Sequence, residues 1–325
     1  MKSTNRVFCA FAALAFSIGI YAQSGTNSPY SQYGLGVLSD QTSGFNRGMN
    51  GVGLGFREHN QVNFINPASY SAVDSLSFIF DVGFSGQITN FNESGKKINA
   101  KNADFEYAVA AFRVAKGFGV SFGILPYTNV GYNYTSSTPG SNVLSTTYSN
   151  SYYGEGGLHQ VYVGLGYQLF KGFSLGANVS YLWGSYDKTV TNSYSDSYAK
   201  TIQKVYSASV TNYKLDFGVQ YAFAVDKKNE FTLGATYSPG HDIGGNPSCV
   251  VTSTNPTTST PETAPYSLKD GLKIPTIVGA GLAWNNANRI KLGVDYSFQK
   301  WSGIGFPVYA VSYTHLRAHE TTLHL

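Results

Sequence analysis

The feature that most limits this chain is a two-residue rhythm. In FSLGANVSYLW, Phe173, Leu175, Ala177, Val179, Tyr181 and Trp183 share one face of an extended strand, and Ser174, Gly176, Asn178 and Ser180 share the other. The same period returns from Leu76, Val161, Tyr213, Phe231, Ile274 and Ile290, each time setting large apolar residues against small or polar ones. A soluble β-sandwich also alternates, but it turns the greasy face to a core. Composition favours lipid outside instead: of 325 residues only 12% are charged and 15% are aromatic, and the aromatics gather near the ends of the runs, where a membrane barrel carries its girdles. No run after the N-terminus reaches the roughly 18 apolar residues of a spanning helix. The expected fold class is all-β, a transmembrane antiparallel β-barrel.

The first residues set the compartment. MKSTNR is a short basic start, VFCAFAALAFSIGI an apolar run, and Ala22 a small residue before a cut at Gln23, so 1–22 reads as a signal peptide. Cys9 would leave with it, and Cys249 alone cannot form an intramolecular disulfide. The charge balance of +4 is mild and points to no nucleic acid.

Connection lengths then order the strands. Lys116-Gly117, Lys171-Gly172, Asp226–Asn229 and Asn285–Asn288 read as tight turns, whereas 92–102, 135–157, 187–204 and 240–272 read as long polar loops. Short and long alternate, as they do where barrels keep short turns in the periplasm and long loops outside. This parity predicts nine strands: 75–91, 103–115, 118–134, 158–170, 173–186, 205–224, 229–239, 273–285 and 289–301. Nine crossings leave an unpaired edge in lipid, which the bilayer disfavours, so further strands are expected beyond the native stretch 75–309. VSYTHLRAHET (311–321) resembles the translation of a sequencing-library adapter, and 310–325 is read as a non-native tail. Its His315, His319 and His324 have no fold around them to hold a metal, and no metal site is expected.

Three stretches carry a family resemblance. GMNGVGLGFREHNQVNFINPASYS (48–71) holds a glycine-rich lead and an Asn-Pro-Ala box at Asn66, Pro67 and Ala68; GFGVSFGILPYTNVGYNY (117–134) has an internal proline, Pro126; and LKIPTIVGAGLAWNNANRIKLGVDYSFQKWSG (272–303) has a Pro, Gly-Leu-Ala-aromatic, Asp and Trp pattern. In that order they resemble the FadL-type family (FadL and TodX) of outer-membrane transporters for long-chain fatty acids and other hydrophobic compounds. The resemblance implies a barrel of about fourteen strands, about nine of them here, whose lumen is closed by an N-terminal plug, here 23–74. It also implies the outer membrane of a Gram-negative bacterium, membrane lipid and a hydrophobic small molecule as partners, and passive uptake.

On that reading the Asn-Pro-Ala box ends the plug, and a kink at Pro126, Tyr127 and Asn129 opens the wall sideways. A greasy ligand would then pass into lipid without exposing methylenes worth about 0.8 kcal/mol each to water. A plain turn at the box and a structural bulge at Pro126 are the competing readings. Lys214, Asp216, Lys291 and Asp295 fall on the polar, lumen-facing side, where they hold a carboxylate or pair with the plug. With no Gly-Lys-Ser/Thr loop, no cofactor is expected. His59, His159 and His241 are scattered and no Gly-x-Ser-x-Gly elbow accompanies them, so the chain is not expected to be an enzyme. The alternative function is a non-transport scaffold of the same family, for instance secretion-associated, with protein partners that the sequence does not name.

Overall fold

The computed structural model describes residues 26–93, 95–139, 147–196, 198–267 and 271–304. The expected signal segment 1–22, the end of the expected barrel at 305–309 and the tail 310–325 lie outside them. The strands are β1 (Val37–Leu38), β2 (Phe78–Glu93), β3 (Lys96–Ala115), β4 (Phe118–Pro139), β5 (Thr147–Phe170), β6 (Phe173–Tyr194), β7 (Thr201–Ala224), β8 (Asn229–Ser238), β9 (His241–Gly244), β10 (Ser248–Thr254), β11 (Pro261–Ser267), β12 (Leu272–Ile274), β13 (Thr276–Asn286) and β14 (Ile290–Lys300). A short helix α1 (Gly44–Gly48) and a 3-10 turn, Pro67–Ala72, lie in the N-terminal stretch.

The order β2-β3-β4-β5-β6-β7-β8-β13-β14 is one curled antiparallel sheet, up and down in chain order, and it matches the nine alternating runs. Among the described residues β2 and β14 each pair on one side only. The sheet is inside out relative to a soluble domain. On β6, Val179 is 59% exposed while the adjacent Ser180 is 2% exposed, and the same contrast holds along β5 and β7. A greasy exposed face over a buried polar one is stable only if lipid covers the first.

Beyond Trp183 the sense inverts. Outward residues of β6 become Ser185, Asp187, Thr189 and Thr191, while Leu158, Leu182, Tyr186 and Val210 turn inward and bury with Leu35, Ile243, Leu272 and Ile274. This half is built like a soluble sheet standing on the membrane-facing one. It corrects the expectation of long loops at 92–102, 135–157 and 187–204: the β2–β3, β4–β5 and β6–β7 arms continue as paired strand through most of those residues. Polar side chains on the outer face suit water, and the inner core rewards the pairing. Likewise 240–272 is structured. β10 pairs with Thr201–Ser207 of β7, β11 pairs with β10, and β9 pairs with β12.

Candidate functional site: inner segment, strand break and interior cavity

Residues 26–74 lie along the concave face, and the 3-10 turn Pro67–Ala72 touches β3 through β7. Asn66 caps it: its side chain accepts from Ala68 N at 3.2 Å and donates to Leu54 O at 2.9 Å and to Val219 O of β7 at 3.1 Å. Pro67 follows at the first helical position, where its missing N–H costs nothing. The turn has a seat made for it. Gly119, Gly166, Gly176 and Gly218 are directly paired neighbours across β4, β5, β6 and β7, a row running perpendicular to the strands. A Cβ at Gly119 would fall 1.9 Å from Tyr70 O, at Gly176 2.3 Å from Pro67 C, and at Gly218 2.1 Å from Asn66 Oδ1. Glycine in mid-strand here lets a second backbone lie against the sheet. Sequence reasoning missed the row, although each run carries an inward-phase glycine that could have disclosed it.

Further contacts pin the segment at both ends. Gln220 donates to Leu54 O and Phe56 O at 3.0 and 2.9 Å, and Tyr70 OH donates to Asn178 Oδ1 at 3.0 Å. Lys188, which lies in the part of β6 beyond the apolar band, donates to Gln32 O and Gly34 O at 3.0 and 2.8 Å. Burial pulls its pKa down to about 7.

At Pro126 the wall changes partner. β3 and β4 pair only from Ala115↔Phe118 to Ala108↔Ile124, and the β4–β5 ladder shifts register between Pro126 and Thr128, leaving Tyr127 as the bulged residue. Past this point β4 is met from inside. β1 pairs with Thr128 and Asn129, Ser39 N donates to Tyr127 O at 3.0 Å, Gln41 Nε2 donates to Pro126 O at 2.8 Å, and Asn129 Nδ2 donates to Ser39 Oγ at 3.0 Å. Proline thus sits where a ladder ends, as its lack of an N–H requires.

The four lumen-phase charges do not form one site. Asp295 accepts from Gly53 N and Leu54 N at 2.7 and 2.8 Å, and Lys291 pairs with Glu58 at 2.6 Å; both hold the inner segment. Lys214 and Asp216 pair with each other at 2.5 Å, with Ser238 donating to Asp216. This pair, with Asp295, Leu125, Tyr127 and Phe64, lines an interior cavity of about 420 Å³.

The family model described as BamG matches residues 4–321. The chain belongs to the BamG family. No curated protein matches it. Among solved structures it is similar to the crystal structure of the P. putida toluene transporter TodX, at 14% identity and a TM-score of 0.53, over 85% of this chain and 72% of that one. That likeness is one of fold, and it agrees with the FadL-type resemblance and with an outer-membrane type of barrel. The BamG match runs through Val311–Thr321 and so lends the adapter reading of the tail no support. In this BamG-family sheet the three described histidines stay apart: His59 pairs with Asp74 at 2.7 Å, His159 stacks on Trp183, and His241 stacks on Tyr213.

Proposed function

We propose that this chain is an outer-membrane barrel scaffold with a BAM-associated role, acting by binding protein partners rather than by catalysis. The inner segment is then a fixed plug that stiffens the barrel. One observation carries the preference over fatty-acid uptake. Among the described residues lining the interior cavity, the one cation, Lys214, is already neutralised by Asp216, and Asp40 by Arg47 outside the lining, while Asp295, held by the backbone N–H groups of Gly53 and Leu54, leaves the cavity acidic. A carboxylate ligand would meet repulsion there. Membership of the BamG family supports the same reading.

A second reading keeps a specific support. The strand break at Pro126 adjoins the cavity through Leu125 and Tyr127, an arrangement compatible with passage of an uncharged hydrophobic compound. Deleting the gene and complementing it separates the two. The scaffold reading expects altered levels of other outer-membrane barrels, co-purification of tagged full-length chain with assembly components, and unchanged uptake of labelled oleate and toluene. Uptake that falls on deletion, with an unchanged barrel profile, would sink it in favour of transport.

A further inference from the structure

Where β4 leaves β3, β3 keeps an edge with no strand paired to it among the described residues. β2 pairs with β3 out to Lys96, but β4 stops at Ala108, so Lys97–Tyr107 has no ladder partner on its second side among the described residues. Among the described residues, Asn27 Nδ2 reaches it at 3.5 Å from Lys101 O. β1 does not fill the gap, because its register is with β4. Such a row of free N–H and C=O groups is a template for another strand.

The gap is also charged. A cavity of about 300 Å³ opens between the two strands, lined by Asn102, Asp104 and Glu106 of β3, Asn129 of β4, and Asp40 and Arg47 of the inner segment. Arg47 pairs with Glu106 at 2.7 Å and reaches Asp40 at 3.4 Å, so the one guanidinium of the lining is shared by two of its three carboxylates. Asp104 accepts from Asn129 Nδ2 at 3.4 Å and from the Phe105 backbone N–H, and no salt bridge reaches it among the described residues. Asn102 is 7% exposed, and its Oδ1 has no hydrogen-bond partner. A buried acceptor left open beside an unmatched carboxylate calls for a donor with positive charge. On the other face of β3 stand Ala103 and Phe105, the latter edge-on to Phe84.

We propose that this β3 edge takes an added β-strand from a protein partner, an extended segment with basic residues on alternate positions facing Asn102 and Asp104 and apolar residues between them facing outward. The period of two in the docked strand follows from the pleat. This inference rests on the scaffold reading and names the partner's chemistry. It is distinguishable from that reading, because it is tested on the purified chain without any assembly component.

The probe is a fluorescein-labelled decapeptide of alternating Lys and Val, titrated against the detergent-solubilised full chain by anisotropy, with an alternating Glu and Val peptide beside it. Binding of the Lys peptide, at least tenfold weaker for Asp104→Asn and absent for the Glu peptide, is expected. Two N-methylated Lys peptides, blocked on one backbone edge or on the other, separate strand addition from charge attraction on the unaltered chain. One should bind and the other should not. Equal binding of the two, no binding of the Lys peptide, or equal binding of the Glu peptide would each overturn the docking edge. So would size-exclusion evidence that a second copy of the chain occupies it.

Discussion

At the scale of single residues, the glycine row and Asn66 do related work from opposite sides. A methyl group at Gly176 has no room beside Pro67 and Ala68, whose backbone atoms would lie 2.3 and 2.4 Å away. Gly176→Ala is therefore expected to cost about 2 kcal/mol, read as a lowered melting temperature of the detergent-solubilised chain. Asn66→Ala removes the cap and the side-chain donor to Val219 O, while Leu54 O keeps Gln220 as a donor, and about 2 kcal/mol is expected by the same measurement. Lys188 gives a pH signature. Its folded pKa of about 7 lies below the unfolded value near 10.4, so the unfolded chain binds more protons between those limits. Stability should rise with pH across that window by up to about 1.4 kcal/mol per pH unit, and Lys188→Met should flatten the rise. The box and its cap were legible in the sequence because capping is local. The row was not, since its members are neighbours only once four strands are in register.

At the scale of elements, the strands were legible below the level of Trp183 and mistaken above it. Below, a greasy face opposite a polar one announces lipid. Above, Ser, Thr and Asn on the outer face resemble loop composition, and the inner partners Leu158, Leu182 and Val210 belong to three different strands. Leu182→Ala in this upper core is expected to cost about 2–5 kcal/mol, whereas Val179→Ala on the lipid face should cost less than about 1 kcal/mol, both from thermal melts. The kink at Pro126 was visible as a proline in an alternating run. That the inner segment takes up the released edge of β4 was not, because two-residue β1 has no periodic signal. Hydrogen exchange should report the asymmetry: amides of Thr128 and Asn129 protected, and alternate amides of Lys97–Tyr107 fast.

At the scale of the whole molecule, two tryptophans mark the band. Trp183 pairs with Thr211 of β7 at one rim, and Trp284 lies at the other, beside Phe231, which pairs with Phe223. From Thr211 to Phe223 is roughly 40 Å along the strand, or roughly 30 Å of height at a tilt near 40°, which suits the apolar band and girdles of an outer-membrane barrel. Brominated lipids should quench both weakly at the bilayer centre and strongly near the headgroups; strong quenching of either at the centre would contradict this placement.

The seat of the inner segment also sets a timetable. Asn66 is synthesised well before its partner Val219, 153 residues later, and the four glycines that receive the turn become one surface only after β4 to β7 have paired. The first part of the chain to emerge must therefore be among the last to settle. Until then Asn66, Tyr70 and their neighbours wait as an unfolded leader, exposed to proteases and to any holdase in the compartment, so slow pairing of β6 with β7 would shorten the life of a segment far from the delay.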